Sequence, residues 1–261
     1  MIKYYIVDAF ADKLFSGNQA GVCVLDEWIA PELMQQIAAE NNLSETAFVV
    51  QKGEEYDLRW FTPDAEVDLC GHATLGTAFV ISQLKGEEIK SMNFHTQSGL
   101  LTVSNKEGLF EMDFPSRSPQ PVEISSLMKE VAGVDIKEAW LSRDLLLVLE
   151  TEEEVQNLKP DLEKMKAISD CLGVVVTARG KEVDFVSRFF APNIGVPEDP
   201  VTGSSHASLI PFWAERLGRN KMTARQLSKR GGTLYCEFTG DRVKIAGYAK
   251  LYLEGGIHIP E

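Results

Sequence analysis

Residues 59–75, "RWFTPDAEVDLCGHATL", and residues 188–209, "RFFAPNIGVPEDPVTGSSHASL", are two versions of one pattern, and the fold is read from them. Each begins with an Arg and two aromatics, reaches a Pro, crosses a polar loop and ends on a His that opens an apolar run. In the first copy, "GHATLGTAFVISQLKG" sets Leu75, Ala78, Phe79, Val80 and Ile81 around nearly the whole helical circumference before Gly86 closes it. In the second, "GSSHASLIPFWAERLG" does the same with Leu209, Ile210, Phe212, Trp213 and Leu217. A helix that is apolar on every side is surrounded by protein. Pro63 precedes His72 by nine residues and Pro192 precedes His206 by fourteen, so the second copy carries five more, all in the loop that opens its helix. A recurring order of strand, loop and apolar helix implies an internal duplication, hence two like lobes with a cleft between them.

Short strand patterns surround both helices. "YYIVDAF" and "AGVCVLD" read as strands, and "APELMQQIAAENN" as a half-buried helix with Pro31 at its first position, Glu32 in its first turn and Leu33, Met34, Ile37 and Ala38 on one face. "LFEMDFP" alternates apolar and acidic side chains as a strand does. After it, "SRSPQP" (116–121) is rich in Ser and Pro and marks the expected linker, dividing the chain into an N-terminal lobe of residues 1–116 and a C-terminal lobe of residues 117–261, whose last strand could pair back with the first lobe. The second half brings a helix near Ile124–Val131, the strand "LLLVLE", charged helical turns up to Cys171, and the strands "GVVVTA" and "VDFVSRFF". Strands and helices interleave in an α+β order.

The 261 residues are enough for a sizeable core, and a net charge of −13 leaves no basic stripe for nucleic acid or anionic lipid. No apolar run approaches the roughly 20 residues a membrane helix needs, and "MIKYYIVDAF" lacks the layout of a signal peptide, so a cytoplasmic location is the default. Cys23, Cys70, Cys171 and Cys236 lie far apart without a CxxC pair, which points to reduced thiols. Cys70 and His72 lack the spacing and partner ligands of a zinc site, so no metal is expected there. The expected partner is a small molecule.

The chemistry concentrates where the two apolar helices open. Thr202, Gly203 and Ser204 supply backbone N–H groups at a helix start, after Asp199 and Pro200 in the turn; Gly71 and His72 open the other helix in the same way. One such start only caps its helix, whereas two facing one cleft could hold a carboxylate. Glu45 stands between Ser44 and Thr46 at the entry of a strand, where hydroxyls could hold a partly desolvated carboxylate. "GSSHA" (203–207) has the small-x-Ser-x-small form of a nucleophile elbow, which keeps a serine hydrolase using Ser205 as an alternative, but the preceding "GVPEDPVT" reads as loop where that elbow needs a strand. A non-catalytic binding protein on the same fold is the other alternative.

Four segments, "VDAFADKLFSGNQAGVCVL", "IAAENNLSETAFVV", "LRWFTPDAEVDLCGHATLGTAFV" and "FVSRFFAPNIGVPEDPVTGSSHASLIPFW", resemble the signature segments of the PhzF (phenazine biosynthesis-like) family, and the resemblance runs on to "RVKIAGYAKLYLEGG". It implies a diaminopimelate epimerase-like fold of two pseudo-symmetric lobes, each a β-barrel-like sheet around a central helix, with the active site between them. It implies an isomerase, with a racemase or epimerase type as a further reading, that moves a proton on a small, cyclic or amino, carboxylic acid without metal or cofactor. Glu45 would be its general acid/base, with His72 and Asp199 as a flanking polar pair. Asn18, Gly71, Ala73, Thr202, Gly203 and Ser204 would hold substrate, and the enzyme would be a homodimer. Asp199 stands about where a second catalytic thiol would be in the epimerase relatives, which makes a two-thiol racemisation doubtful. Gln19 replaces the proline that often follows "SGN".

Overall fold

The structure, a computed structural model, describes residues 1–85 and 89–259. The helix end expected at Gly86 lies outside the described residues. The chain divides into two compact units, Met1–Asp113 with Ala246–Glu261, and Phe114–Ile245.

In the first unit β1 (Ile2–Ala9) pairs antiparallel with β2 (Asn18–Leu25), and helix α1 (Pro31–Asn41) carries the chain over to β3 (Glu45–Lys52), parallel to β2. β4 (Glu55–Phe61) returns antiparallel to β3, and the short β5 (Glu66–Val67) folds back on its end. Helix α2 (Gly71–Lys85) then leads to β6 (Ser91–Thr96), parallel to β4, and β7 (Gly99–Lys106) and β8 (Leu109–Pro115) follow as antiparallel neighbours.

Alternation along the strands explains the two helices. Tyr4, Cys23, Leu25, Phe48 and Val50 share one face with Met34, Ile37 and Ala38 of α1. Residues of the opposite parity, Val7 and Ala20, lie close to Gly76 of α2 on the other face. A sheet covered on both faces has strands buried nearly throughout, which is the burial of β1, β2 and β3. α2 is buried from His72 to Ala78 and again at Val80 and Ile81, as its all-round apolar sequence requires.

The second unit repeats this plan. β9 (Gln120–Val122) leads through α3 (Ser126–Ala132) to β10 (Glu138–Leu141), which pairs antiparallel with β11 (Leu145–Val148). The short helices α4 (Glu152–Asn157) and α5 (Leu162–Met165) carry the chain to β12 (Val174–Arg179), parallel to β11, and β13 (Phe185–Ala191) returns antiparallel. A 3₁₀ turn at Pro192–Ile194 precedes the short β14 (Val196–Asp199), which folds back on β13. α6 (His206–Leu217) then precedes β15 (Lys221–Gln226), parallel to β13, with β16 (Gly232–Phe238) antiparallel to it and β17 (Arg242–Gly247) last. Strand by strand, the sequence and sense of pairing from β10 to β16 are those from β1 to β7. The two faces recur as well: Val174, Val176, Val186 and Phe190 pack with Val155 and Met165, while Phe185 stacks on Trp213 of α6 at 5.7 Å.

The repeated motif has a repeated use. Arg59 on β4 grips Glu66 on β5 through Nε and Nη2 at 2.7 and 2.8 Å and lies over the ring of Phe61. Arg188 on β13 grips Glu198 on β14 at 2.7 and 3.0 Å and lies over Phe190. In "RWF" and "RFF" alike the Arg and the aromatic two positions on share one face of a strand, so the guanidinium is packed and paired at once.

Two expectations change. Residues 116–121 are no free linker: Ser116 N–H donates to Asp241 O, Arg117 N–H donates to Ala207 O at 2.9 Å, and Gln120 begins β9. Pro211 inside α6 has no N–H to give the Ala207 carbonyl, and Arg117 takes that acceptor instead. The bounds of the second lobe, expected at 117–261 with a last strand that could pair back with the first, shift to Phe114–Ile245, and β18 (Ala249–Ile257) lies antiparallel along β1 from Ile2↔Ile257 to Ala9↔Ala249. Among the described residues no helix is long and apolar enough to cross a membrane.

Candidate active site

Glu45 is the first residue of β3, and strand parity aims its side chain to the α2 face while Thr46 points to the other, where its hydroxyl accepts from Asn41. Ser44 is exposed. The expected pair of supporting hydroxyls is thus replaced by the opening of α2. Glu45 Oε2 lies 3.2 Å from His72 Nε2, an ion-pair distance, though neither atom has an aligned hydrogen-bond partner. The other ring nitrogen, Nδ1, is 3.5 Å from Cys70 Sγ and 3.4 Å from Asn18 Nδ2. Gly17 makes Asn18's position possible: its φ is +69°, and a Cβ there would meet the Ala9 carbonyl oxygen at 2.1 Å.

All three ionisable groups are shifted. Burial works against the Glu45 charge, but the facing His72 charge and contacts with His72 and Cys70 outweigh it and hold the carboxyl below its ordinary value. Burial likewise opposes a charged His72, yet the thiol and carboxylate around it keep the imidazole proton well above the usual range. Burial, with the Glu45 charge added, pushes the Cys70 thiol up. The shifts favour charge on Glu45 and His72 and oppose it on Cys70. The Asn18 amide donates to a bare Nδ1 and, turned over, accepts from a protonated one, so it serves both states of the ring.

In the second unit, Asp199 ends β14 and accepts from the Thr202 hydroxyl. Buried Gln226 clasps this turn, accepting from Thr202 N–H at 2.9 Å and donating to Asp199 O at 2.7 Å. Ser204 Oγ accepts from Arg143 Nη2 at 2.8 Å, while Arg143 also grips the fully buried Asp144. Arg143 went unread in the sequence, since nothing in "LSRDLLL" shows that this turn reaches residue 204. Glu45, His72, Asn18, Gly71 and Ala73 therefore gather at one end of α2, and Asp199, Thr202, Gly203 and Ser204 at the matching end of α6.

The hydrolase reading loses its base. The "GVPED" stretch does hold a strand, Val196–Asp199, but Ser205 Oγ is buried and donates to Thr202 O at 2.9 Å. His206 Nδ1 lies 2.8 Å from the same carbonyl and must carry a proton there, so it has no lone pair for Ser205, 3.5 Å away.

Comparison with known proteins fits the chain and its fold to one family. The sequence model of PhzC-PhzF, described as phenazine biosynthesis-like protein, matches residues 7–255. An uncharacterized isomerase of Pseudomonas aeruginosa is 48% identical over 258 residues, covering 99% of each chain. A crystal structure of a PhzF-family phenazine biosynthesis protein from Enterococcus faecalis superposes with a TM-score of 0.97 at 49% identity, covering 99% of this chain and 100% of the other. The fold extends to a probable proline racemase from Agrobacterium radiobacter, at a TM-score of 0.67 and 9% identity over 100% of this chain and 94% of the other. With nearly its whole length matched, the chain belongs to the PhzC-PhzF, or phenazine biosynthesis-like, family.

Proposed function

We propose that this chain is a cofactor-independent isomerase that moves a proton on a small carboxylic acid, with Glu45 as its general acid/base. The observation that carries the reading is the ion pair of half-buried Glu45 with buried His72 at the opening of a buried helix. An ionised Glu45 takes a proton from a substrate carbon, the negative charge left behind spreads into the conjugated acid, and the protonated Glu45 returns the proton to another carbon or to the other face. His72 keeps the carboxylate ionised between turnovers and supplies positive charge beside it, while Asn18 fixes the ring. Gly71 and Ala73 offer backbone groups at the start of α2. In the second unit Asp199 is proposed as a further polar group, with Thr202, Gly203 and Ser204 holding substrate. The relative from Pseudomonas aeruginosa bears the name isomerase, which supports the reaction class.

Substrate turned over in D₂O acquires deuterium at the reprotonated carbon, in part if the same proton returns. Glu45→Gln keeps the side-chain shape and lowers turnover by roughly 10²–10⁴-fold while binding survives. More than about a tenth of wild-type rate in that variant would rule out Glu45 as the base. Asp199→Asn costs less. Self-association as a homodimer is also proposed, supported by the exposed apolar side chains Phe15, Leu251, Tyr252 and Leu253. Light scattering then gives twice the 29.0 kDa chain mass, and a single chain mass at micromolar concentration refutes it.

A further inference from the structure

The sequence argued against zinc because Cys70 and His72 stand alone, but the fold adds a third donor from 25 positions earlier in the chain. Among the described residues, Glu45, Cys70 and His72 form the group of three potential ligands in which one donor atom from each lies within 4.8 Å of the others. Around a tetrahedral zinc-class ion, with bonds of about 2.0–2.3 Å, neighbouring donors stand roughly 3.3–3.6 Å apart. The 3.2 Å contact of His72 Nε2 with Glu45 Oε2 is near that spacing, whereas the Cys70 sulfur lies 3.5 Å from the other ring nitrogen, Nδ1, and closes on the same ion by a small movement within the 4.8 Å that encloses the three donors. Two of the candidate donor atoms, Glu45 Oε2 and His72 Nε2, are buried without an aligned hydrogen-bond partner, so a cation there would satisfy groups the protein leaves unsatisfied.

We propose that the Glu45 carboxylate, the Cys70 thiolate and one imidazole nitrogen of His72 bind a borderline-soft divalent cation of the zinc class, leaving a fourth position for water. One thiolate and one imidazole favour zinc or cobalt over magnesium or calcium, which take oxygen donors. As the ion enters, the thiol and the protonated ring each release a proton to solvent, so that the carboxylate and thiolate together balance the double positive charge. Asn18, against the ring Nδ1, is placed to orient the imidazole from outside. An ion held here takes the Glu45 carboxylate out of proton transfer. Zinc is therefore an inhibitor of this enzyme, a consequence that rests on the isomerase reading, whereas the binding itself does not.

The full chain, freed of metal with a chelator, is titrated with Co²⁺ and followed by absorption. We expect one equivalent bound, a thiolate-to-cobalt charge-transfer band in the near ultraviolet, and displacement of the cobalt by Zn²⁺. Cys70→Ser loses the band, and Glu45→Gln keeps it but binds at least about tenfold more weakly; Cys171→Ser leaves both unchanged. Circular dichroism checks that each variant is folded, and if Cys70→Ser is not, Glu45→Gln and His72→Asn carry the test through their affinities. Absence of the band in the wild-type chain, its survival in folded Cys70→Ser, or unaltered affinity in the other two variants overturns the site. Zinc that binds without blocking deuterium exchange would refute the role of Glu45 and leave the metal site standing. Loss of exchange in Glu45→Gln without any metal binding would do the reverse.

Discussion

His206 shows how one residue type takes opposite states at equivalent places in the repeat. His72 is packed against Glu45 and Cys70, which raise its pKa; His206 lies beside the Phe185 ring and gives its Nδ1 hydrogen to the Thr202 carbonyl. Burial there pulls its pKa down to about 4. The folded chain thus leaves His206 neutral where the unfolded chain, with a pKa near 6.5, already binds a proton. Its stabilising share is complete above about pH 6.5 and is lost as the pH falls to about 4, a change of about 3 kcal/mol. In urea melts the wild type loses that stability over the window, relative to His206→Gln; a difference that stays constant with pH contradicts the assignment. At this scale part of the candidate site was legible. Glu45 and His72 were named from their segments, but the support of Glu45 was misread, because neighbours in a strand point to opposite faces and the true partner is 27 positions along the chain. Cys70 as a third member and Arg143 as the partner of Ser204 depend on contacts that no local pattern encodes.

The elements repeat more faithfully than their loads. Arg59 and Arg188 make the same two-pronged contact, but Arg188 has more to hold: its Nη1 also donates to the Leu158 carbonyl at 2.7 Å, with those of Val155 and Gln156 at 3.2 and 3.4 Å. It therefore ties β13 and β14 to the end of α4, whose last carbonyls need donors. Arg188→Lys loses the fork and the capping bonds together and costs about 3 kcal/mol, while Arg59→Lys, in a more exposed site where the guanidinium bonds Glu66 without capping a helix, costs about 1 kcal/mol. Chemical denaturation of the two variants compares them, and equal losses would mean that the α4 contacts carry no weight. The two buried helices were readable in sequence because an all-round apolar stretch has few places to be. Strand order was not, since a strand's own residues fix its faces but not its neighbours.

At the scale of the molecule, the chain's path matters as much as its contacts. β18 supplies β1 with an antiparallel neighbour along its whole length, and the Ala11 N–H bonds the Tyr248 carbonyl just before that strand begins. A chain cut after Ile245 leaves β1 as a bare edge with its outer bonds unmet. The first unit of such a chain is expected to lose protection from amide exchange from β1 to β3, while Phe114–Ile245 keeps its own protection. Native-like protection of β1 in the shortened chain would disprove the dependence. The returning strand also sets an order of events that the numbering of the chain conceals. On a ribosome the first 113 residues emerge early but lack their last strand, whereas all of Phe114–Ile245 is available before Ala249 is made. The segment synthesised first is the one that must wait, and a nascent chain stalled near Ile245 would present its beginning, not its latest addition, to chaperones and proteases.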